Sequence, residues 1–251
     1  MSNFNCYFSP TGGTKRVADA VAQGWGEKFE AVDLLGGVPE VEFGEDDLCL
    51  FSVPSYGGRI PAPVAETISR MDGRGARAVL IAVFGNRAID DTLLELSDVL
   101  KASGFRCIAA MEAVAEHSLI RKFGAGRPDD ADTAQLAGFA KQICTALENG
   151  TASADVKVPG NRPYREFGGV PLKPKASGSC LGCGRCAAEC PVGAIPMTNF
   201  RQTDTKKCIS CMHCVAICPA GTRKIPKLMT MVAGHKMKAA CSGRKPNQLY
   251  L

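Results

Sequence analysis

One tryptophan, four tyrosines and three histidines are spread over 251 residues, and no acidic residue follows Asp204. No apolar run reaches the roughly 18 residues that a membrane-spanning helix needs, so a membrane span is excluded. The first apolar segment, Asn3 to Phe8, reads as a strand rather than a secretory leader, and a cytoplasmic location is expected. With 45% apolar and 22% charged residues, the chain is neither disordered nor collagen-like.

Cysteine is what the sequence has in excess. Of thirteen, Cys6, Cys49, Cys107 and Cys144 are scattered on apolar positions, Cys241 stands alone, and eight fall between Cys180 and Cys218. An unsecreted chain keeps thiols reduced, so the dense block reads as metal ligation and not as a disulfide framework.

Charge divides the chain in the same place. Residues 1–150 carry 14 Lys and Arg against 21 Asp and Glu, net −7, whereas residues 151–251 carry 16 against 4, net +12. Nine of these cations follow Asp204. Such a lobe attracts an acidic redox partner or the chain's own acidic half. Nucleic acid is not expected, because few aromatics lie near the basic residues and no reading helix is recognisable.

In the first half, apolar runs at Asn3–Phe8, Phe29–Leu35, Leu48–Val53, Ala78–Phe84 and Phe105–Val114 predict strands of a parallel sheet. Helical spacing joins Val17, Val21 and Trp25; Val64, Ile68 and Met71; Leu93, Leu96 and Leu100; and Leu136, Ala140, Ile143 and Leu147. This alternation predicts a doubly wound α/β domain over 1–150. The segment from Gly36 to Asp47 has a poor helix composition and is expected to be a loop or a single turn. Residues 151–176, with four prolines, are read as a linker whose Tyr164 and Phe167 lie on something, and 177–251 as a second domain with a basic tail.

The cysteine block is duplicated. Cys180-x2-Cys183-x2-Cys186-x3-Cys190-Pro191 recurs 28 residues later as Cys208-x2-Cys211-x2-Cys214-x3-Cys218-Pro219. Two-residue spacing presents three sulfurs to one cube of iron and sulfide, and in this pattern the fourth cysteine serves the other cube. The expected ligand sets are Cys180, Cys183, Cys186 and Cys218 for one 4Fe-4S cluster, and Cys208, Cys211, Cys214 and Cys190 for a second. Two zinc sites are the alternative, but zinc needs no four-cysteine run ending in Cys-Pro. The segment from Ser177 to Thr222 resembles the bacterial two-cluster ferredoxins, a small α+β fold.

Ser9-Pro10-Thr11-Gly12-Gly13-Thr14 lies between the first strand and the first helix, where N–H groups and hydroxyls converge into a phosphate cradle; an ordinary capped helix start is the alternative. This loop and the order of elements resemble the flavodoxin family. The resemblance implies a five-stranded parallel sheet of order 2-1-3-4-5 and an FMN held by Ser9, Thr11, Gly12, Gly13 and Thr14. It also implies two loops flanking the flavin ring: Pro54, Ser55, Tyr56, Gly57 and Gly58, and Gly85, Asn86 and Arg87. Tyr56 is then the aromatic against the flavin, Arg59 and Arg87 are cations near it or surface ion-pair partners, and His117 lies near the same edge. No aromatic occurs from Gly85 to Asp91, so one flavin face is open or is covered by Tyr164, Phe167 or the cluster domain.

Together with Gly126-Arg127-Pro128, the two halves resemble the EFR-type flavodoxin–ferredoxin fusions. What this implies is low-potential, anaerobic-style electron transfer between FMN, two 4Fe-4S clusters and a redox partner. Two other functions remain open: a flavin-dependent oxidoreductase acting on a small molecule with the clusters as electron feed, and a cluster-stabilised binding or sensing module without flavin.

Overall fold

Strands with apolar residues on both faces must be covered on both faces, and that requirement builds the first unit. In the computed structural model, which describes residues 2–251, the apolar runs form β1 (Asn3–Tyr7), β2 (Glu30–Asp33), β3 (Leu48–Pro54), β4 (Arg77–Phe84) and β5 (Arg106–Val114). They pair in parallel in the order β2-β1-β3-β4-β5.

Side chains alternate between the two faces, as a two-residue period requires. Phe51, Val53, Leu80 and Ala82 pack with Val64 and Ile68 of α2 (Ala62–Ser69) and with Leu93, Leu96 and Leu100 of α3 (Thr92–Ala102). Leu50, Val79, Ile81 and Val83 face Val17 and Val21 of α1 (Gly13–Trp25) and Leu136, Ala140 and Ile143 of α4 (Asp130–Glu148). Each of these valine, leucine, isoleucine and phenylalanine side chains contributes about 1.5–3 kcal/mol on burial. A 3-10 turn, Leu34–Gly36, leads into the Gly36–Asp47 crossover, which is irregular chain anchored by Phe43, whose ring meets Phe4 and Phe105 edge-on.

The expected linker lies on the first unit. Val156 is buried and its N–H donates to the Cys107 carbonyl at 3.0 Å, while the backbone N–H groups of Asn161 and Arg165 donate to the Asp91 carboxylate at 2.8 and 2.7 Å.

The cysteine-rich unit is small. A two-residue antiparallel pair, β6 (Lys175–Ala176) with β7 (Arg223–Lys224), flanks two four-residue helices, α5 (Arg185–Ala188) and α6 (His213–Ala216). The sequence duplication is repeated in the backbone: left-handed φ values occur at Gly182 and Ser210, at Gly184 and Met212, and at Gly193 and Gly221.

The expected parallel order of five strands holds, and two features extend it. The sheet has a sixth strand, because β8 (Gln248–Tyr250) adds antiparallel to the outer edge of β5. Residues 227–251 also do not stay with the cysteine unit alone, although Ala233 packs beside Met212, Val215 and Ile225. Helix α7 (Lys227–Lys236) and the tail return to the first unit, where Ala233, Met237 and Cys241 pack on Ile120 and Phe123. The unpaired edge of β5 and this apolar pair draw the tail back, since both would otherwise face water. Cys241 is buried there, and burial pushes its thiol up, as expected of a packed bystander.

Candidate functional site

The eight cysteines of the duplicated block divide between two cavities. One is lined by Cys180, Cys183, Cys186 and Cys218, with Phe200, Thr222 and Arg223. The other is lined by Cys208, Cys211, Cys214 and Cys190, with Ile195, Ile209 and His213. In each, three thiols come from one repeat and the fourth from the other repeat. Among the described residues no three His, Cys, Asp or Glu side chains are grouped as around a single metal ion.

The left-handed residues between the cysteines turn backbone N–H groups toward sulfur, and Ser210 N–H lies 3.4 Å from Cys208 Sγ, as does Ala194 N–H from Cys190 Sγ at 3.3 Å. The two cavities differ in exposure. Cys183 is exposed beside an exposed Leu181, whereas Cys211 and Cys214 are buried. Burial pushes the Cys211 thiol up to about 12, while the Thr222 hydroxyl and nearby backbone N–H groups bring Cys218 down to about 7.

A large cleft of about 830 Å3 opens at the carboxyl ends of β1, β3, β4 and β5. Ten of the sequence-selected residues line it: Thr11, Gly13, Thr14, Pro54, Ser55, Tyr56, Gly57, Gly85, Arg87 and His117. Four others do not. Ser9 Oγ accepts the Lys15 N–H at 2.8 Å and holds the loop, Gly12 supplies the left-handed turn (φ +86°), and Gly58 lies under Asp90 and Arg165. Asn86 is buried and donates to the carbonyls of Cys241 and Gly243 at 2.8 and 2.7 Å, so it holds the tail.

Arg59 is also away from the cleft. Its guanidinium pairs with Glu95 at 2.6 Å and lies over the Tyr164 ring at 4.7 Å, so both side chains fasten the linker. Of the two linker aromatics it is Phe167 that enters the cleft, where its ring occupies the space a Gly57 side chain would take.

His117 packs on Gly85, where a Cβ would come within 2.7 Å of its ring. Its Nδ1 accepts the N–H groups of Leu119 and Ile120 at 3.1 and 3.3 Å, which leaves the proton on Nε2. Burial lowers its pKa to about 4, with Arg87 acting in the same direction, so the ring is neutral at pH 7.

Sequence reasoning missed two contributors. Leu228, Met229 and Val232 of α7 roof the cleft, but helical spacing there says only that the helix has an apolar side. Ser210 lines the cleft from the cysteine unit; it is 3% exposed, and its Oγ has no hydrogen-bond partner. His213 is buried between Pro10 and Glu189, with Nδ1 2.9 Å from the Pro10 carbonyl and Nε2 3.3 Å from the carboxylate.

Comparison with known proteins bears on both halves. Residues 179–241 match the family described as 4Fe-4S dicluster domain. No curated protein matches the chain. Among solved structures, flavodoxin 2 of Bacillus cereus is 13% identical with a TM-score of 0.44, the match covering 58% of this chain and 99% of that one. Flavodoxin 1 of the same organism is 15% identical, with 58% and 98% covered and a TM-score of 0.43. A Fusobacterium nucleatum flavodoxin bound to flavin mononucleotide is 16% identical, with 58% and 98% covered and a TM-score of 0.42. The strand order β2-β1-β3-β4-β5 is itself the flavodoxin-like one. On that order and the family match, the chain joins a flavodoxin-like α/β fold to a ferredoxin-type 4Fe-4S dicluster segment.

Proposed function

We propose that the chain is an electron-transfer protein of the EFR-type flavodoxin–ferredoxin kind, with FMN in the cleft and a 4Fe-4S cluster in each cysteine-ringed cavity. The observation that carries this reading is the position of Ile209. It lies between Cys208 and Cys211 and lines both the second cavity and the cleft, so its side chain borders both sites.

When bound, the clusters exchange single electrons and the flavin one or two. The chain's own residues supply binding and placement. The loop of Thr11, Gly13 and Thr14, at the start of α1, receives the phosphate with first-turn N–H groups. Tyr56 and Phe167 line the cleft where they would hold the ring, neutral His117 would offer its Nε2 proton, and the orphaned Ser210 hydroxyl would gain a partner. Leu228, Met229 and Val232 supply an apolar side to the cleft. The outer cavity, with exposed Cys183, faces the redox partner, and the surrounding cations favour an acidic partner surface.

A second reading is favoured by the size and apolar lining of the cleft: a small molecule reduced beneath α7 with the clusters as feed. The experiment is the flavin, iron and acid-labile sulfide content of protein prepared without oxygen. About one FMN with about eight iron and eight sulfide per chain is expected. Eight iron without flavin would overturn the FMN assignment and leave the module without flavin. Steady turnover with a small acceptor would favour the second reading.

A further inference from the structure

Arg223 is the largest fully buried side chain of the protein, 2% exposed, and it lines the cavity of Cys180, Cys183, Cys186 and Cys218. A buried guanidinium is always charged and is costly without an anion. Its partners are not anions. They are the carbonyls of Phe200 at 2.6 Å, Pro174 at 3.1 Å and Gln202 at 3.5 Å, the Thr203 hydroxyl, and Cys186 Sγ at 3.7 Å. Its Nε has no partner at all.

The duplication sharpens the point. Twenty-eight residues earlier the equivalent position is Ile195, 4% exposed and lining the other cavity. An apolar residue therefore serves this position in one repeat, and packing alone does not call for an arginine in the other. Arg223 sits on β7, which packs against α6, the helix that carries Cys214 of the second set.

We propose that Arg223 is the built-in countercharge of the cluster pair, a positioning residue that raises the reduction potential of the centre it lines and, less strongly, of its neighbour. The proposal rests on reading the cavities as cluster sites. A 4Fe-4S cluster with four thiolates is anionic, and one added electron makes it more so by one charge while the guanidinium keeps its proton. A fixed cation in a dry site favours the reduced state, and N–H donation to a ligand sulfur acts in the same direction.

The test is a dithionite titration followed by EPR on the full chain and on Arg223→Met, Arg223→Gln and Arg223→Lys, with iron content measured on each. Full iron content, with one or both midpoints moved to more negative potential in Arg223→Met and Arg223→Gln but held in Arg223→Lys, is the expected result. Iron lost from the two neutral variants and kept by Arg223→Lys also supports the countercharge. Full iron with unmoved or raised midpoints in the neutral variants overturns the proposal, as does iron lost equally from all three, which would make the fork merely structural. If the parent chain itself lacks iron, the cluster reading has failed, and that is a separate result.

Discussion

His213 Nδ1 lies 2.9 Å from the carbonyl oxygen of Pro10, joining the helix that carries Cys214 to the loop that opens α1. Since a carbonyl only accepts, Nδ1 is the donor, and Glu189 faces the other nitrogen. This bond fixes the spacing between the cleft and the second cavity. His213→Ala is expected to cost about 1–3 kcal/mol in urea unfolding, as for a lost buried hydrogen bond, and to weaken FMN binding while iron content stays full. Loss of about half the iron would instead make His213 a ligand.

Cysteine substitution tests the crossed sets. Cys190→Ser is expected to alter the same EPR signal as Cys208→Ser, and Cys218→Ser the same signal as Cys183→Ser, because each cavity borrows its fourth thiol from the other repeat. If Cys190→Ser and Cys183→Ser altered one common signal, the crossed assignment would be wrong.

His117 makes stability depend on pH. Its folded pKa is lowered from 6.5 to about 4, so between these values the unfolded chain binds a proton that the native chain refuses. Stability from this group is therefore full above pH 6.5 and is lost as pH falls toward 4. Between pH 7 and pH 5 the loss amounts to about 2 kcal/mol from this group. Urea unfolding at the two pH values should show the difference shrink by that amount in His117→Gln.

Gly57 has φ +61°, and a Cβ there would lie 2.1 Å from the Phe167 ring. Gly57→Ala must both strain the turn and expel Phe167 from the cleft, because a left-handed non-glycine residue costs about 1–2 kcal/mol and the ring has no room to stay. Flavin fluorescence titration is expected to show at least tenfold weaker FMN binding. Unchanged affinity would remove Phe167 from the proposed flavin site.

The tail is stitched by two buried asparagines. Asn247 Oδ1 accepts the Val114 N–H at 2.9 Å, and its Nδ2 donates to Asp132, while Asn86 holds the carbonyls of Cys241 and Gly243. Asn247→Ala leaves the buried Val114 N–H without its partner, a loss of about 1–3 kcal/mol. Hydrogen exchange should quicken in β8 and at Val114 before it does in β3 or β4.

The sequence alone determined the elements whose signal is local. Unbroken apolar runs meant strands covered on both faces, so β1, β3, β4 and β5 and the helices between them were legible, as was the Gly36–Asp47 gap. The paired four-cysteine runs were legible for the same reason, since ligand spacing within a turn is written in consecutive residues. Tertiary structure decided what lies far apart in the chain. Asn86 looked like a cleft residue by its place after β4, yet the returning tail offers it two carbonyls 155 and 157 residues away, and a buried amide takes the partners it finds. Arg59 went to Glu95 and Tyr164 in the same way. Phe167, Ser210 and α7 reached the cleft only because the chain folds back over it, and Arg223 came to line the first cavity beside α6 only because the duplicated halves pack together. Periodicity records which side of an element is apolar; which distant surface covers that side is fixed by packing, which no local pattern encodes.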